Sequence, residues 1–138
     1  KEMMLVFCDD NVKKNVTFIC YCCKDCCHAL GGISKFGYPN VVVTSSFITQ
    51  SDPAKCLGCR KCSKACPIDA IDMVPIENPE TKKKKDTTID TSICLGCDVC
   101  ALNFKKGAVS LVKREKRVLH PETTFGRVIL HSLERGAL

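Results

Sequence analysis

The stretch Cys56–Val74 reads CLGCRKCSKACPIDAIDMV, and Cys94–Val112 reads CLGCDVCALNFKKGAVSLV. Laid over one another at an offset of 38 residues, they agree at seven of nineteen places: Cys56/Cys94, Leu57/Leu95, Gly58/Gly96, Cys59/Cys97, Cys62/Cys100, Ala70/Ala108 and Val74/Val112. Asp52 and Asp90 also align, four residues ahead of each first cysteine. The duplicated unit predicts a cysteine loop, a short helix and a short strand, the strands at Ala70–Val74 and Ala108–Val112. The Pro-, Lys- and Thr-rich stretch between the copies reads as a surface hairpin loop closing before a strand at Thr87–Asp90.

The first copy continues as Cys56-x2-Cys59-x2-Cys62-x3-Cys66-Pro67. Three thiolates at two-residue gaps on a glycine-containing loop can wrap one iron–sulfur cube, and the loop's free N–H groups can point at its sulfurs. Zinc is open to any pair of CxxC units, but the triple rhythm, the trailing Cys-Pro and the duplication favour iron and sulfide. On these motifs, residues 52–112 resemble a bacterial-type dicluster ferredoxin domain. The resemblance implies an α+β, ferredoxin-like dicluster fold with a pseudo-two-fold repeat that moves single electrons.

It also implies a crossed ligand pattern. One [4Fe-4S] cluster takes Cys94, Cys97, Cys100 and Cys66; the other takes Cys56, Cys59 and Cys62 and expects its fourth ligand at position 104. That position is Phe104, followed by Lys105 where proline is usual. Three outcomes are open: a [3Fe-4S] cluster, a four-iron cluster with one iron uncapped by cysteine, or a cysteine borrowed from elsewhere.

Six cysteines are spare. Cys20, Cys22, Cys23, Cys26 and Cys27 stand in ICYCCKDCCH, too dense for free cysteines serving as small hydrophobes. Cys20, Cys23 and Cys26 repeat the CxxCxxC rhythm, so the segment is read as a third cluster site, with Cys27, Cys22 or Cys8 as fourth ligand, or as a ligand donor to the incomplete site. The stretch resembles the CNCCxCCC-type segment that precedes a ferredoxin module in longer anaerobe iron–sulfur proteins, with Asp25 where that pattern has another cysteine. The closing SLERGAL suits the same proteins. Rival readings are a zinc knot using His28 and a redox-active dithiol. His28 is a weak candidate, and isolated Cys8 reads more as inert core than as a ligand.

Composition agrees. A chain of 138 residues with 13 cysteines, no Trp, two Tyr and six Phe cannot build a large apolar core. That excludes a conventional large-cored enzyme. The odd cysteine count and adjacent pairs argue against a disulfide framework and for metal ligands in an anaerobe's cytoplasm. A first residue of Lys1 marks the chain as an expected piece of a longer protein. Net charge is +6, and two tetrathiolate cubes at about −2 each would bring it to about +2. No basic stripe carries interleaved aromatics, so nucleic acid is not an expected partner, and no apolar run approaches a membrane span. Lys82 to Lys85 reads as a solvated loop or as a docking patch for an acidic redox partner.

The expected organisation is a cysteine-rich segment at 1–46, a dicluster domain at 47–113 and a basic stretch with a helix at 114–138. Short strands are expected at Val16–Ile19 and Val41–Ile48, a helix end at Ala29–Gly37, and a helix after His120-Pro121 with Phe125, Val128, Ile129 and Leu133 on one packing face. With no phosphate loop and no nucleophile–base pair, the expected function is an electron-transfer module working with redox protein partners or the rest of a larger polypeptide. The rivals are an active site on the three-cysteine cluster, whose open iron binds substrate, and a thiol or metal sensor at residues 20–27.

Overall fold

The computed structural model describes residues 3–37, 42, 45–76, 85–103, 107–115, 119–134 and 136. Among these residues, six short strands and four helices form a small α+β fold. The cysteine-rich segment supplies a hairpin, β1 (Val6–Asp9) and β2 (Ile19–Cys22), then helix α1 (His28–Phe36). The repeat follows as β3 (Phe47–Ser51), α2 (Lys61–Ala65) and β4 (Ile71–Pro75), then β5 (Lys85–Ile89), α3 (Val99–Leu102) and β6 (Val109–Lys113). Helix α4 (Thr124–Glu134) closes the chain. Adding 38 to the bounds of β3 and β4 gives those of β5 and β6.

The sheets join across the copies. β3 pairs antiparallel with β6, so Thr49 faces Leu111, and β4 pairs antiparallel with β5, so Met73 faces Thr87. The loops use reciprocal bonds: Asp52 N–H donates to Ala108 O and Asp90 N–H to Ala70 O, both at 2.8 Å. Cys56 N–H then donates to Asp52 O and Cys94 N–H to Asp90 O, so each aligned aspartate turns the chain into its cysteine loop. Ala54 N–H bonds the Asp52 carboxylate and Ser92 N–H that of Asp90, as Asx turns do.

The core is small and partly sulfur. Leu30, Ile33 and Ile68 are fully buried, and Cys62, Cys66, Cys94 and Cys100 lie with Ile71, Leu95, Val99 and Val109 in the same buried cluster. Helix α1 ends at Gly37, whose φ of 66° provides the left-handed cap. That agrees with the expected break there.

Two strand expectations are displaced. The strand anticipated at Val16–Ile19 begins at Ile19, because Thr17 N–H and Oγ1 both donate to the Asp10 carboxylate and hold the preceding residues in a loop. The strand anticipated at Val41–Ile48 runs instead from Phe47 to Ser51. Ser45 Oγ accepts from Phe47 N–H and turns the chain there. Val42 is outside any strand and packs against the core; Val41, Val43 and Thr44 lie outside the described residues, as do Lys82–Lys84 of the lysine run.

Helix α4 is held by the N-terminal segment. Lys13 and Lys14 N–H donate to Pro121 and Glu122 carbonyls, Lys14 pairs with Glu122 at 2.9 Å, and Arg127 Nη1 donates to Asp10 O. The apolar face expected to be covered is largely open: Phe125, Val128 and Leu133 are 76%, 52% and 57% exposed. Among the described residues no helix is long and apolar enough to cross a membrane.

Gly58 and Gly96 take positive φ within the cysteine loops. A Cβ on Gly58 would lie 2.7 Å from Lys85 O, and one on Gly96 would strike Phe47 O. Gly37 has the same φ with open space around it. Gly37→Ala should therefore cost about 1–2 kcal/mol for the left-handed conformation alone, while Gly96→Ala should cost clearly more and lower metal content as well. Thermal unfolding of the two variants with iron analysis checks this; equal loss in both would contradict it.

Candidate metal centres

Two sets of thiols form inside the repeat. Cys66 leaves α2 in an extended conformation at the turn into Pro67, which carries it from its own loop to the second one. There the Cys66 thiol interacts electrostatically with Cys94 and Cys100, and Cys97 with Cys66, Cys94 and Cys100. Residues 28 to 34 positions apart in sequence are thus brought together, the set implied by the crossed pattern. Cys56 and Cys62 interact in the other loop and share a small pocket with Cys59, Met73 and Thr87. Phe104 and Lys105 lie outside the described residues. Among the described residues no spare cysteine lines that pocket.

Burial controls the first set. Desolvation pushes Cys97 up to about 12 and Cys100 to about 11, and raises Cys66 and Cys62 as well, because a thiolate without counter-charge is costly away from water. The neighbouring sulfurs add to the shift. Such a group of thiols is poorly placed to carry free charge, and a metal that binds it must displace protons that are firmly held.

The surrounding donors fit a cluster. Thr49 Oγ1 lies 3.6 Å from both Cys94 Sγ and Cys100 Sγ. Thr87 Oγ1 lies 3.2 Å from Cys56 Sγ and 4.0 Å from Cys62 Sγ. The two threonines are themselves 38 residues apart. Ala70 N–H donates to Cys66 Sγ at 3.3 Å and Gly58 N–H to Cys56 Sγ at 3.5 Å. Arg114 donates to the carbonyls of Ser45, Phe47 and Cys94, fastening β3 to the second loop and bringing a positive charge beside it. Thr49, Thr87 and Arg114 were missed by sequence reasoning. Extending the 38-residue overlay upstream of Asp52 would have found the threonines.

Five residues of the cysteine-rich segment were proposed as ligands, with Cys8 and His28 as weak candidates. The hairpin register sets Cys8 opposite Cys20 and Val6 opposite Cys22, so these four share one face. Cys22 is pushed up to about 12 by desolvation, with hydrogen bonding to Cys27 and the charge of Cys8 adding to the shift. Cys23 and Cys26 stand apart, joined to one another in a disulfide. Cys23 lies past the end of β2, so strand alternation sets Cys20 on a face with Cys22 and Cys8 and leaves Cys23 out of that alternation. Cys8 belongs with Cys20, Cys22 and Cys27 instead. Lys24 ties the turn to the repeat through Cys66 O and an ion pair with Asp69. His28 opens α1 and is exposed. Among the described residues no group of three or more His, Cys, Asp or Glu side chains is arranged to hold a single metal ion.

The cysteine loops, the short helices and the strand pairs define a dicluster iron–sulfur domain. Residues 55–103 match the family of the 4Fe-4S dicluster domain, and this part of the chain is such a domain. The chain is also similar to the NADH-quinone oxidoreductase subunit I 2 of Symbiobacterium thermophilum, 42% identical over 48 residues, which is 33% of this chain and 20% of that protein. It thus aligns with about a fifth of that relative's length.

Two consequences can be measured. Because raised thiols must each lose a proton to become ligands, cluster loading should release protons and tighten as pH rises from about 7 to 9; loading that ignores pH would contradict the assignment. Removing one hydroxyl donor to a cysteine sulfur disfavours the more negative reduced state. Thr49→Val and Thr87→Val should each lower one reduction potential, by on the order of 40 mV for about 1 kcal/mol. Spectroelectrochemistry that finds neither potential moved would contradict the threonines' role.

Proposed function

We propose that this chain is an electron-transfer domain that moves single electrons through two iron–sulfur clusters within a larger redox protein or assembly. The observation that carries this is Cys66 meeting Cys94, Cys97 and Cys100 across the repeat, which interlocks two loops that each begin CLGC. The repeat acts as a pseudo-two-fold pair, supported by the 38-residue spacing of strands, glycines and threonines and by the reciprocal Asp52–Ala108 and Asp90–Ala70 bonds. Iron–sulfur clusters held by these cysteines would supply one-electron chemistry. The chain's own part is to exclude water with Ile68, Leu95 and Val99 and to set the Thr49 and Thr87 hydroxyls beside ligand sulfurs, to which each can donate once the thiol has lost its proton.

We assign a [4Fe-4S] cluster to Cys94, Cys97, Cys100 and Cys66, and a second cluster to Cys56, Cys59 and Cys62. The second is read as lacking a fourth cysteine, as a three-iron cluster or a four-iron cluster with an open iron. The absence of spare cysteines from the described lining of its pocket favours this over a borrowed ligand. A subunit role is supported by the relative, itself named as a subunit of an oxidoreductase. A reducing, cytoplasmic setting is proposed because cluster ligation needs these cysteines as thiolates rather than as disulfides.

Cys66→Ser and Cys97→Ser should damage the same cluster despite standing in different loops, and Cys56→Ser should damage the other. Mössbauer spectra and iron and sulfide analyses of the three variants decide it. Loss of one and the same centre in Cys66→Ser and Cys56→Ser would overturn the crossed ligand sets.

A further inference from the structure

A cavity of ≈ 1060 Å³ lies between the β1–β2 hairpin, α1, the second cysteine loop and α4. Cys8, Cys20, Cys22 and Cys27 line it, and so does Cys97 of the first cluster's ligand set. We propose that these four cysteines hold a third iron–sulfur cluster, adjoining the one assigned to Cys94, Cys97, Cys100 and Cys66.

The register makes the donor set. Alternation along two antiparallel strands puts Cys8, Cys20 and Cys22 on one face, while Phe7 and Tyr21 stack edge to face on the other with ring centres 4.9 Å apart. Cys27, at the cap of α1, lines the same cavity. Four cysteines from two strands and a helix cap line this one cavity, the number of thiols that a tetrathiolate centre takes.

The space chooses between a cluster and one ion. A structural zinc sits about 2.3 Å from each of four sulfurs and needs almost no room beyond them. The cavity is far larger than that and remains open from the thiols to the wall formed by Gly96 and Cys97. Arg127 of α4 also lines the cavity and is anchored on Asp10 O, and Asp9 and Asp10 line it too. Cys23 and Cys26 do not line the cavity, so the disulfide between them leaves the four ligands free.

The ligand set stands on the cavity alone; its role as an extension of an electron path rests on the proposed electron-transfer reading. Native mass spectrometry of the whole chain, reconstituted anaerobically with iron and sulfide, tests both separately. The wild type should carry one cubane more than Cys20→Ser/Cys22→Ser, and Cys23→Ser/Cys26→Ser should match the wild type. A wild type with no more than two clusters would overturn the third centre even if the double variant fails to fold. So would zinc in place of iron and sulfide, or an equal loss in Cys23→Ser/Cys26→Ser. A cubane lost with Cys20 and Cys22 while Cys56→Ser and Cys66→Ser change nothing would instead keep the third centre and sink the dicluster reading.

Discussion

Thiols buried beside other thiols are the constraint on which the rest of the structure depends. Four of the thirteen residues in the buried cluster are cysteines, and desolvation pushes the thiols of Cys97, Cys100 and Cys66 upward. A core of this kind gains less from hydrophobic burial than one of leucine and isoleucine. It requires another source of cohesion, and sulfur bonded to metal supplies one. The short strands follow from this. They need only position two loops and their threonine hydroxyls, and reciprocal backbone bonds between the copies do that with five residues per strand.

Most of the repeat was legible in the sequence because identities at a fixed offset carry backbone requirements with them. Gly58 and Gly96 align because both loops need positive φ against a neighbouring carbonyl. Asp52 and Asp90 align because both start the turn into a loop. The hairpin before Thr87 and the helix break at Gly37 were readable from turn and cap chemistry.

The N-terminal segment was harder to read. Cysteine spacing alone grouped Cys20, Cys23 and Cys26, whereas strand alternation groups Cys20 with Cys22 and brings in Cys8 from across the hairpin. On a strand the period is two, so cysteine spacing alone does not say which cysteines share a face there. The position of α4 was also unreadable, since it depends on backbone bonds to Lys13 and Lys14 and on Arg127 reaching Asp10. None of these leaves a hydrophobic pattern. Of the apolar residues that suggested a packing face, Phe125, Val128 and Leu133 are exposed.

The two ends of the chain therefore clasp each other beside the repeat, and the repeat's second loop forms one wall of the space between them. Whether clusters sit close enough to act as one electron path is best tested by EPR of the fully reduced, anaerobically purified protein. The account predicts a signal broadened and split by magnetic interaction between neighbouring clusters. A sharp signal from one isolated cluster, or no iron–sulfur signal in a protein loaded with zinc, would contradict it.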